Sequence, residues 1–343
     1  EVVCKWIRKL EGGPSVEVEV LRELSARASE LLVPELLGTL DLHGNDGTTQ
    51  TVASFTRFIV NQGTAWQLTQ DEVRRFFEHA LVHDGPKDVL GAFATIAERL
   101  AIRTAELHLA LASSLNPDFV PRPLDARAEY QARRALAARS IDTLERALPS
   151  LPPQALPLAR AVLAKRREVA ARLRGWLDGK PRLVGIRIHG DYHLGQLLFT
   201  GRDFAVVDFE GEPARSLTDR RRRRSALTDV AGLLRSLDYA VHSVLHADVP
   251  TAGPRSEDLT LLAPWGERWL AEASAAFLSA YCARMADSRL VPADERALRA
   301  ELDLCLLEKA LYEVAYELEN RPAWASIPLA GLAKLLGARV TRR

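Results

Sequence analysis

Two carboxylates and an amide are spaced along one stretch of this chain in a way that suits phosphoryl transfer. Ile188-His189-Gly190-Asp191-Tyr192-His193-Leu194-Gly195-Gln196 reads as a loop with glycines on both sides of an acid, and Val206-Val207-Asp208-Phe209-Glu210-Gly211-Glu212-Pro213 follows it. Between the two, Gln196 to Thr200 and Phe204 to Asp208 read as strands joined by the turn Gly201-Arg202-Asp203. That pattern is a short β-hairpin, and it brings Asp191 and Asp208 to the same end. Phosphoryl transfer uses one carboxylate to orient and deprotonate an attacking hydroxyl. It uses a second, with a neutral oxygen ligand, to hold Mg²⁺ on nucleotide phosphates. Asp191 fits the first role, and Asp208 with Gln196 fits the second.

Other elements must position this hairpin. Residues 2–7 alternate as a strand and carry Lys5; Gly12-Gly13-Pro14 breaks the chain, and Ser15 can cap a helix over about 16–28. A strand Lys followed by a helix Glu can set a cation against nucleotide phosphates and hold it with a carboxylate; Glu17 and Glu19 both suit that second role. Strands near 39–42 and over 51–60 complete a small antiparallel sheet. Helices are expected over 70–82, 92–113, 125–147, 155–178, 229–242, 265–286 and 292–319, with prolines 149, 152, 153 and 157 separating the third and fourth into a helical hairpin. Thr228 caps the 229–242 helix, 248–264 reads as a surface loop, and His108, on the second helix, reads as structural. On the last helix Lys309, Tyr312, Glu313, Tyr316 and Asn320 share one face, while Leu307, Leu311, Val314 and Leu318 share the core face. Two phenols, a cation, an acid and an amide on one face suit the hydroxyls and ring of a sugar.

These residues resemble a known family. His189-Gly190-Asp191…Gln196 with Asp208-Phe209-Glu210 resembles the kinase-like phosphotransferases that include aminoglycoside and choline kinases. The continuation through Gly211-Glu212-Pro213, the arginine run and Leu227–Ala240 is similar to bacterial maltokinases, including those fused behind trehalose synthase; actinobacterial glucosamine kinases share much of the pattern. Glu308-Lys309-Ala310-Leu311-Tyr312-Glu313 through Asn320-Arg321-Pro322 and Trp324 resembles the maltokinase sugar-binding helix, with Glu308 where an Asp is usual. Asn61-Gln62-Gly63-Thr64-Ala65-Trp66 resembles another maltokinase segment, with Thr64 in place of an acid.

The resemblance implies an α+β, bilobal, protein-kinase-like fold: an antiparallel-sheet N-lobe over 1–60, truncated at its start, and a mostly helical C-lobe over 61–343. It implies ATP and Mg²⁺ as cofactors and the reaction ATP + maltose → ADP + maltose 1-phosphate, feeding α-glucan synthesis. Within it Asp191 and His189 are catalytic, and Gln196 and Asp208 are metal ligands. Lys5 contacts phosphate with Glu19 as its pairing acid, and the backbone of Phe58, Ile59 and Val60 holds the adenine. His193, Glu210, Glu212, Lys309, Tyr312, Glu313 and Tyr316 lie on the sugar side. The chain begins inside a strand at Glu1, so a cap subdomain and a phosphate-covering loop are expected upstream, along with fusion to or cooperation with trehalose synthase. The alternatives are a kinase for glucosamine, another hexose or an aminoglycoside, and a non-catalytic scaffold.

Composition limits the rest. The chain has 343 residues, of which 47% are hydrophobic, enough for a sizeable core. A net charge of +1 gives no general attraction to nucleic acid or acidic lipid. Arg220–Arg224 lacks a wider basic footprint and is expected as a solvated or anion-facing loop rather than a nucleic-acid site. Cys4, Cys282 and Cys305 are scattered and odd in number, which suits a reducing, cytoplasmic setting. No apolar run approaches a membrane span and no signal peptide is evident, so no membrane partner is expected.

Overall fold

The computed structural model describes residues 1–7, 10, 12–25, 31–45, 47–82, 88–245 and 258–338. It begins with strand β1 (Val2–Trp6), helix α1 (Val16–Ser25) and strands β2 (Leu36–His43) and β3 (Thr49–Arg57). The three strands form one antiparallel sheet in the order β1-β3-β2. The expected extension of α1 to residue 28 lies outside the described residues. Val16, Val20, Leu21 and Leu24 recur at helical spacing and are all buried. They belong to the same apolar core as the helices that follow, so the boundary near residue 60 is a change of architecture without a break in the core.

Helices α2 (Ala65–Val82) and α3 (Phe93–Ala112) come next, then the two-residue strand β4 (Arg122–Pro123) and helix α4 (Ala126–Ala147). Thr64 starts α2. Its backbone N–H donates to Gln67 Oε1 at 2.9 Å and its hydroxyl accepts from Gln67 N at 3.3 Å, a reciprocal cap. Asp125 caps α4 by accepting from Arg127 N and Ala128 N. The single helix expected over 155–178 is two, α5 (Leu156–Ala164) and α6 (Arg166–Asp178), broken at Lys165 where the backbone turns to φ −96°, ψ 7°. The break lets α5 lie mainly on α11 and α6 mainly on α4.

Strand β5 (Val184–Gly185) pairs with β4, and β6 (Leu197–Phe199) pairs with β7 (Phe204–Val206) to make the expected hairpin. After the short α7 (Leu217–Arg220) come α8 (Leu227–Leu245), α9 (Leu259–Met285), α10 (Glu295–Asn320) and α11 (Ser326–Leu335). Helix α9 starts before Pro264, not after it. A proline so near the start removes only one hydrogen bond of the helix, and Leu262 ahead of it is buried. Helix α11 was not foreseen.

Two apolar clusters hold these helices. The larger joins α1, α2, α3, the hairpin, α8 and α9. The smaller joins α4, α5, α6, α10 and α11 around Leu144, Trp176, Leu311 and Leu329; within it α5 packs on α11 and α6 on α4. Helix α10 packs on both α4 and α8, so its residues stand between the clusters. No helix among the described residues is long and apolar enough to cross a membrane.

Candidate active site

The hairpin is fixed to the rest of the fold from three sides. Gln62 N donates to Phe199 O at 2.7 Å and Phe199 N to Gly63 O at 2.9 Å, which adds the segment after β3 to the hairpin edge. Val206 N donates to Leu32 O at 2.9 Å. From α8, Asp229 accepts His189 N at 2.8 Å and Gly190 N at 3.0 Å through its two oxygens. Gly190 has φ 83°, a conformation that glycine takes without strain. Helix α8 can approach because position 232 is glycine: a Cβ there would lie 2.4 Å from the Tyr192 carbonyl oxygen.

Asp229 is completely buried. Burial would raise its pKa, but His108 and His189 outweigh that and hold the carboxyl below its ordinary value. His108 Nε2 lies 3.2 Å from Asp229 Oδ2, and its Nδ1 lies 2.9 Å from the Tyr281 hydroxyl. The structural reading of His108 therefore has a specific content: it supports the acid that shapes the loop around Asp191.

His189 does not face the pocket. It is buried at 2% exposure between the rings of Tyr192 and Phe209. Its Nε2 donates to Val207 O at 2.9 Å, which leaves Nδ1 to accept Asp191 N at 3.4 Å. The expected catalytic role is corrected to a positioning one. His189 ties the loop of Asp191 to the residue before Asp208.

Asp191 lies within 4 Å of two cations or potential cations: Lys309 Nζ is 4.0 Å from Oδ1 and His193 Nε2 is 3.8 Å from Oδ2. His193 also accepts Gly195 N at 3.0 Å. Burial lowers its pKa, with Asp191 opposing and Lys309 adding to the fall.

At the hairpin exit Asp208 has φ 66°, in the sparsely populated left-handed region. This turns its carboxylate between two partners: Oδ1 is 2.5 Å from Lys5 Nζ, and Oδ2 accepts Gln196 Nε2 at 2.9 Å. Lys5 also meets Glu210 at 2.5 Å and Glu17 at 3.4 Å. Burial would lower the Lys5 pKa, but Glu17 and Asp208 outweigh it and raise it. Burial raises the Glu17 pKa against the pull of Lys5. Asp208 falls below its ordinary value because Lys5 overcomes its burial.

The partner of Lys5 is thus Glu17 and not Glu19. Two residues of a helix are about 200° apart, so only one can face the sheet. Glu19 points the other way, to Arg187 at 3.3 Å and Arg221 at 2.7 Å. Phe58, Ile59 and Val60 form an extended connection without secondary structure between β3 and α2, where Phe58 N donates to Glu1 O and Ile59 O accepts Asn61 Nδ2.

A pocket beside Asp191 is lined by Gly190, Tyr192, Glu212, Arg215, Lys309 and Tyr312, among others. Glu212 lies 3.9 Å from Lys309. The buried Tyr312 hydroxyl makes no hydrogen bond of ordinary geometry, yet burial and the nearby Glu212 carboxylate raise its pKa. Tyr316 stacks on Tyr312 with ring centres 6.2 Å apart and is more exposed. Glu313 departs from this face. Neighbouring helix residues project about 100° apart, and Glu313 turns toward α8, where it meets Arg235 at 2.8 Å. It is corrected from the sugar side to a buried ion pair.

The arginine run is half-buried, and the groups it faces are carboxylates and carbonyls of this chain. Arg220 reaches Glu210 O, Arg221 Glu19 and Pro14 O, Arg222 Glu129, Arg223 Val120 O and Pro117 O, and Arg224 Glu308. Glu308 also draws Arg133 at 3.3 Å and Arg215 at 3.6 Å. Glu17, Arg187, Arg215, Asp229 and Glu308 are the site residues that sequence reasoning missed or set aside. Arg187 directly precedes the Ile188–Gln196 segment, and Asp229 lies within the Leu227–Ala240 segment, in the first turn of α8.

No family model matches the chain. A glucosamine kinase of Streptacidiphilus jiangxiensis is 28% identical over 346 residues, covering 98% of this chain and 70% of that protein. One of Mycolicibacterium smegmatis is 27% identical, covering 97% and 75%. Among solved structures, a glucosamine kinase in complex with glucosamine, ADP and inorganic phosphate superposes with a TM-score of 0.73 at 25% identity, covering 98% of this chain and 72% of that one. This chain has the kinase-like phosphotransferase fold. That agrees with the fold expected from the hairpin motifs, while these relatives are named for glucosamine and not for maltose.

Proposed function

We propose that this protein transfers the terminal phosphoryl group of ATP to a hydroxyl of a hexose, and that glucosamine is the acceptor. The observation that carries the reading is that Asp191 stands beside a pocket lined by Glu212, Lys309 and Tyr312, while Lys5, Gln196 and Asp208 gather at the exit of the same hairpin. The sequence similarity to glucosamine kinases over nearly the whole chain supports the choice of acceptor. Asp191 would accept the proton of the attacking hydroxyl as its oxygen bonds to phosphorus and the bond to the bridging oxygen of ADP breaks. Asp191 and Glu212 supply carboxylates for an ammonium group, and Lys309 and Tyr312 supply donors for hydroxyl oxygens.

Asp208 and the amide oxygen of Gln196 fit Mg²⁺, since both are hard oxygen donors. Among the described residues no group of three or more His, Cys, Asp or Glu forms a ready cage, and Mg²⁺ bound with nucleotide phosphates needs none. Bound there, it would neutralise charge on the phosphates. Lys5 would steady the same phosphates, and the backbone of Phe58 to Val60 would face the adenine.

A second reading, maltose as acceptor, rests on the Tyr312–Tyr316 stack. It continues through Arg321, over both the Tyr316 and Trp324 rings. An aromatic row of this length suits a second sugar ring. Under that reading phosphate goes to the anomeric hydroxyl and a trehalose synthase, fused or separate, supplies the maltose. Intact Asp191, Gln196 and Asp208 weigh against a non-catalytic scaffold. The test is ADP release from Mg-ATP with glucosamine, maltose, glucose, trehalose and kanamycin. Glucosamine-dependent release supports the first reading and maltose-dependent release the second. Nucleotide binding without release on any sugar overturns both.

A further inference from the structure

Glu19 occupies a position that neither nucleotide nor acceptor chemistry explains. It lies on α1, two residues from the Glu17 that holds Lys5, and points away from Lys5. Arg187 Nη2 reaches its Oε2 at 3.3 Å, and Arg221 reaches it at 3.1 Å through Nε and 2.7 Å through Nη2. The two arginines come from different places. Arg187 is 2% exposed, its guanidinium 4.6 Å from the centre of the Phe119 ring. It immediately precedes Ile188 and the Asp191 loop. Its neighbours Ile186 and Arg224 exchange backbone hydrogen bonds, 3.0 and 2.9 Å, which lock this segment to the arginine run. Arg221 follows the Asp208–Glu212 segment and also donates to Pro14 O at 2.7 Å, at the entry to α1. It packs against Gly13, where a Cβ would lie 3.3 Å from its Nη2.

We infer that Glu19, with Arg187 and Arg221, is a positioning node that sets the rotation of α1, and so the Lys5–Glu17 pair, relative to the Asp191 loop. Helix α1 is held on one face by Lys5 and on the opposite face by the two guanidiniums. Neither hold alone fixes its rotation about its own axis; together they do. A planar guanidinium whose two nitrogens meet one carboxylate fixes direction as well as distance, which suits a positioning role better than a lone lysine would. The inference rests on the reading that Lys5 steadies nucleotide phosphates.

The experiment compares wild type, Glu19→Gln, Arg221→Met and the double variant. It reads the affinity for Mg-ADP by calorimetry, then KM for ATP and KM for the acceptor. Binding of Mg-ADP by the wild type tests the underlying reading; its absence overturns the nucleotide site itself. With that binding present, Glu19→Gln is expected to weaken nucleotide affinity about tenfold and raise KM for ATP by a similar factor. KM for the acceptor should stay within about twofold, since no residue of α1 lines the acceptor pocket. The double variant should lose little more than either single one, because both act through one contact. Arg221→Lys, which keeps the charge, should recover part of the loss. If Glu19→Gln fails to fold, Arg221→Met decides, since Arg187 still pairs with Glu19 in it. Nucleotide affinity within twofold of wild type in the folded variants, or equal loss for nucleotide and acceptor, overturns the inference.

Discussion

A carboxylate that takes a proton from an attacking hydroxyl cannot be replaced by an amide of the same shape. Asp191→Asn is therefore expected to lower acceptor-dependent turnover by roughly 100-fold or more while leaving the melting temperature within a degree or two. Wild-type turnover in that variant would remove Asp191 from the mechanism. Asp208→Asn is a companion test, because Asn, like Asp, tolerates the left-handed region better than other side chains do. It keeps the backbone at φ 66° and removes the charge together with one acceptor oxygen. Mg-ADP affinity, measured by calorimetry, should fall more than tenfold, and affinity for the free sugar should not. Asp191, Gln196 and Asp208 were legible because they sit in one short, strongly patterned segment whose geometry is local. The Glu17 and Glu19 alternatives were not resolvable in the same way. Both are acids in the first turn of α1, and only the rotation of the helix against Lys5 and Arg221 separates them.

At the scale of elements, each cap and ion pair has its own expected effect. Thr64→Ala removes the hydroxyl that caps α2 and should cost about 1 kcal/mol in urea unfolding; Thr64→Asp should restore it. Asp238, on α8, is buried with Arg235 at 2.5 Å. Burial would raise its pKa, but Arg235 and His242 outweigh it and bring the value down from 3.8 to about 2. A carboxyl with a depressed folded value stabilises the protein above its unfolded pKa and loses that effect as pH falls through the folded one. The contribution, about 2 kcal/mol, is therefore complete at pH 6 and lost between 3.8 and about 2. Asp238→Asn should be less stable than wild type at pH 6, with the difference narrowing at pH 3. Most helices were readable from apolar spacing and caps, but the α5–α6 break was not, because it follows where α4 and α11 lie, which apolar spacing does not report. Glu313 escaped for the same kind of reason. Its face was right to within one residue, and α8 supplied the arginine that claimed it.

Over the whole molecule, long-range charge pairs connect parts of the chain that the sequence keeps far apart. Glu308 gathers Arg133, Arg215 and Arg224, so it joins α4, the loop after Pro213 and the arginine run to the pocket side of α10. Glu308→Gln leaves Arg215 and Arg224 short of a counter-charge, while Arg133 keeps Glu301, and should destabilise the fold by about 3 kcal/mol, read as a lower urea midpoint with an unchanged slope. No periodicity or motif announces such pairs, because each depends on two helices arriving at one place. The arginine run shows this most plainly: five identical residues, each sent to a different part of the fold.

That distribution has a practical consequence. Five arginines in a row would ordinarily be the first place trypsin cuts, yet here none of them is fully exposed and each side chain is engaged. Limited digestion of the folded protein should spare the bonds between residues 220 and 225 while nicking other surface sites. In Glu19→Gln the same bonds should become the early cuts. The run would then act as a built-in protease reporter of whether α1 and the Asp191 loop are still joined.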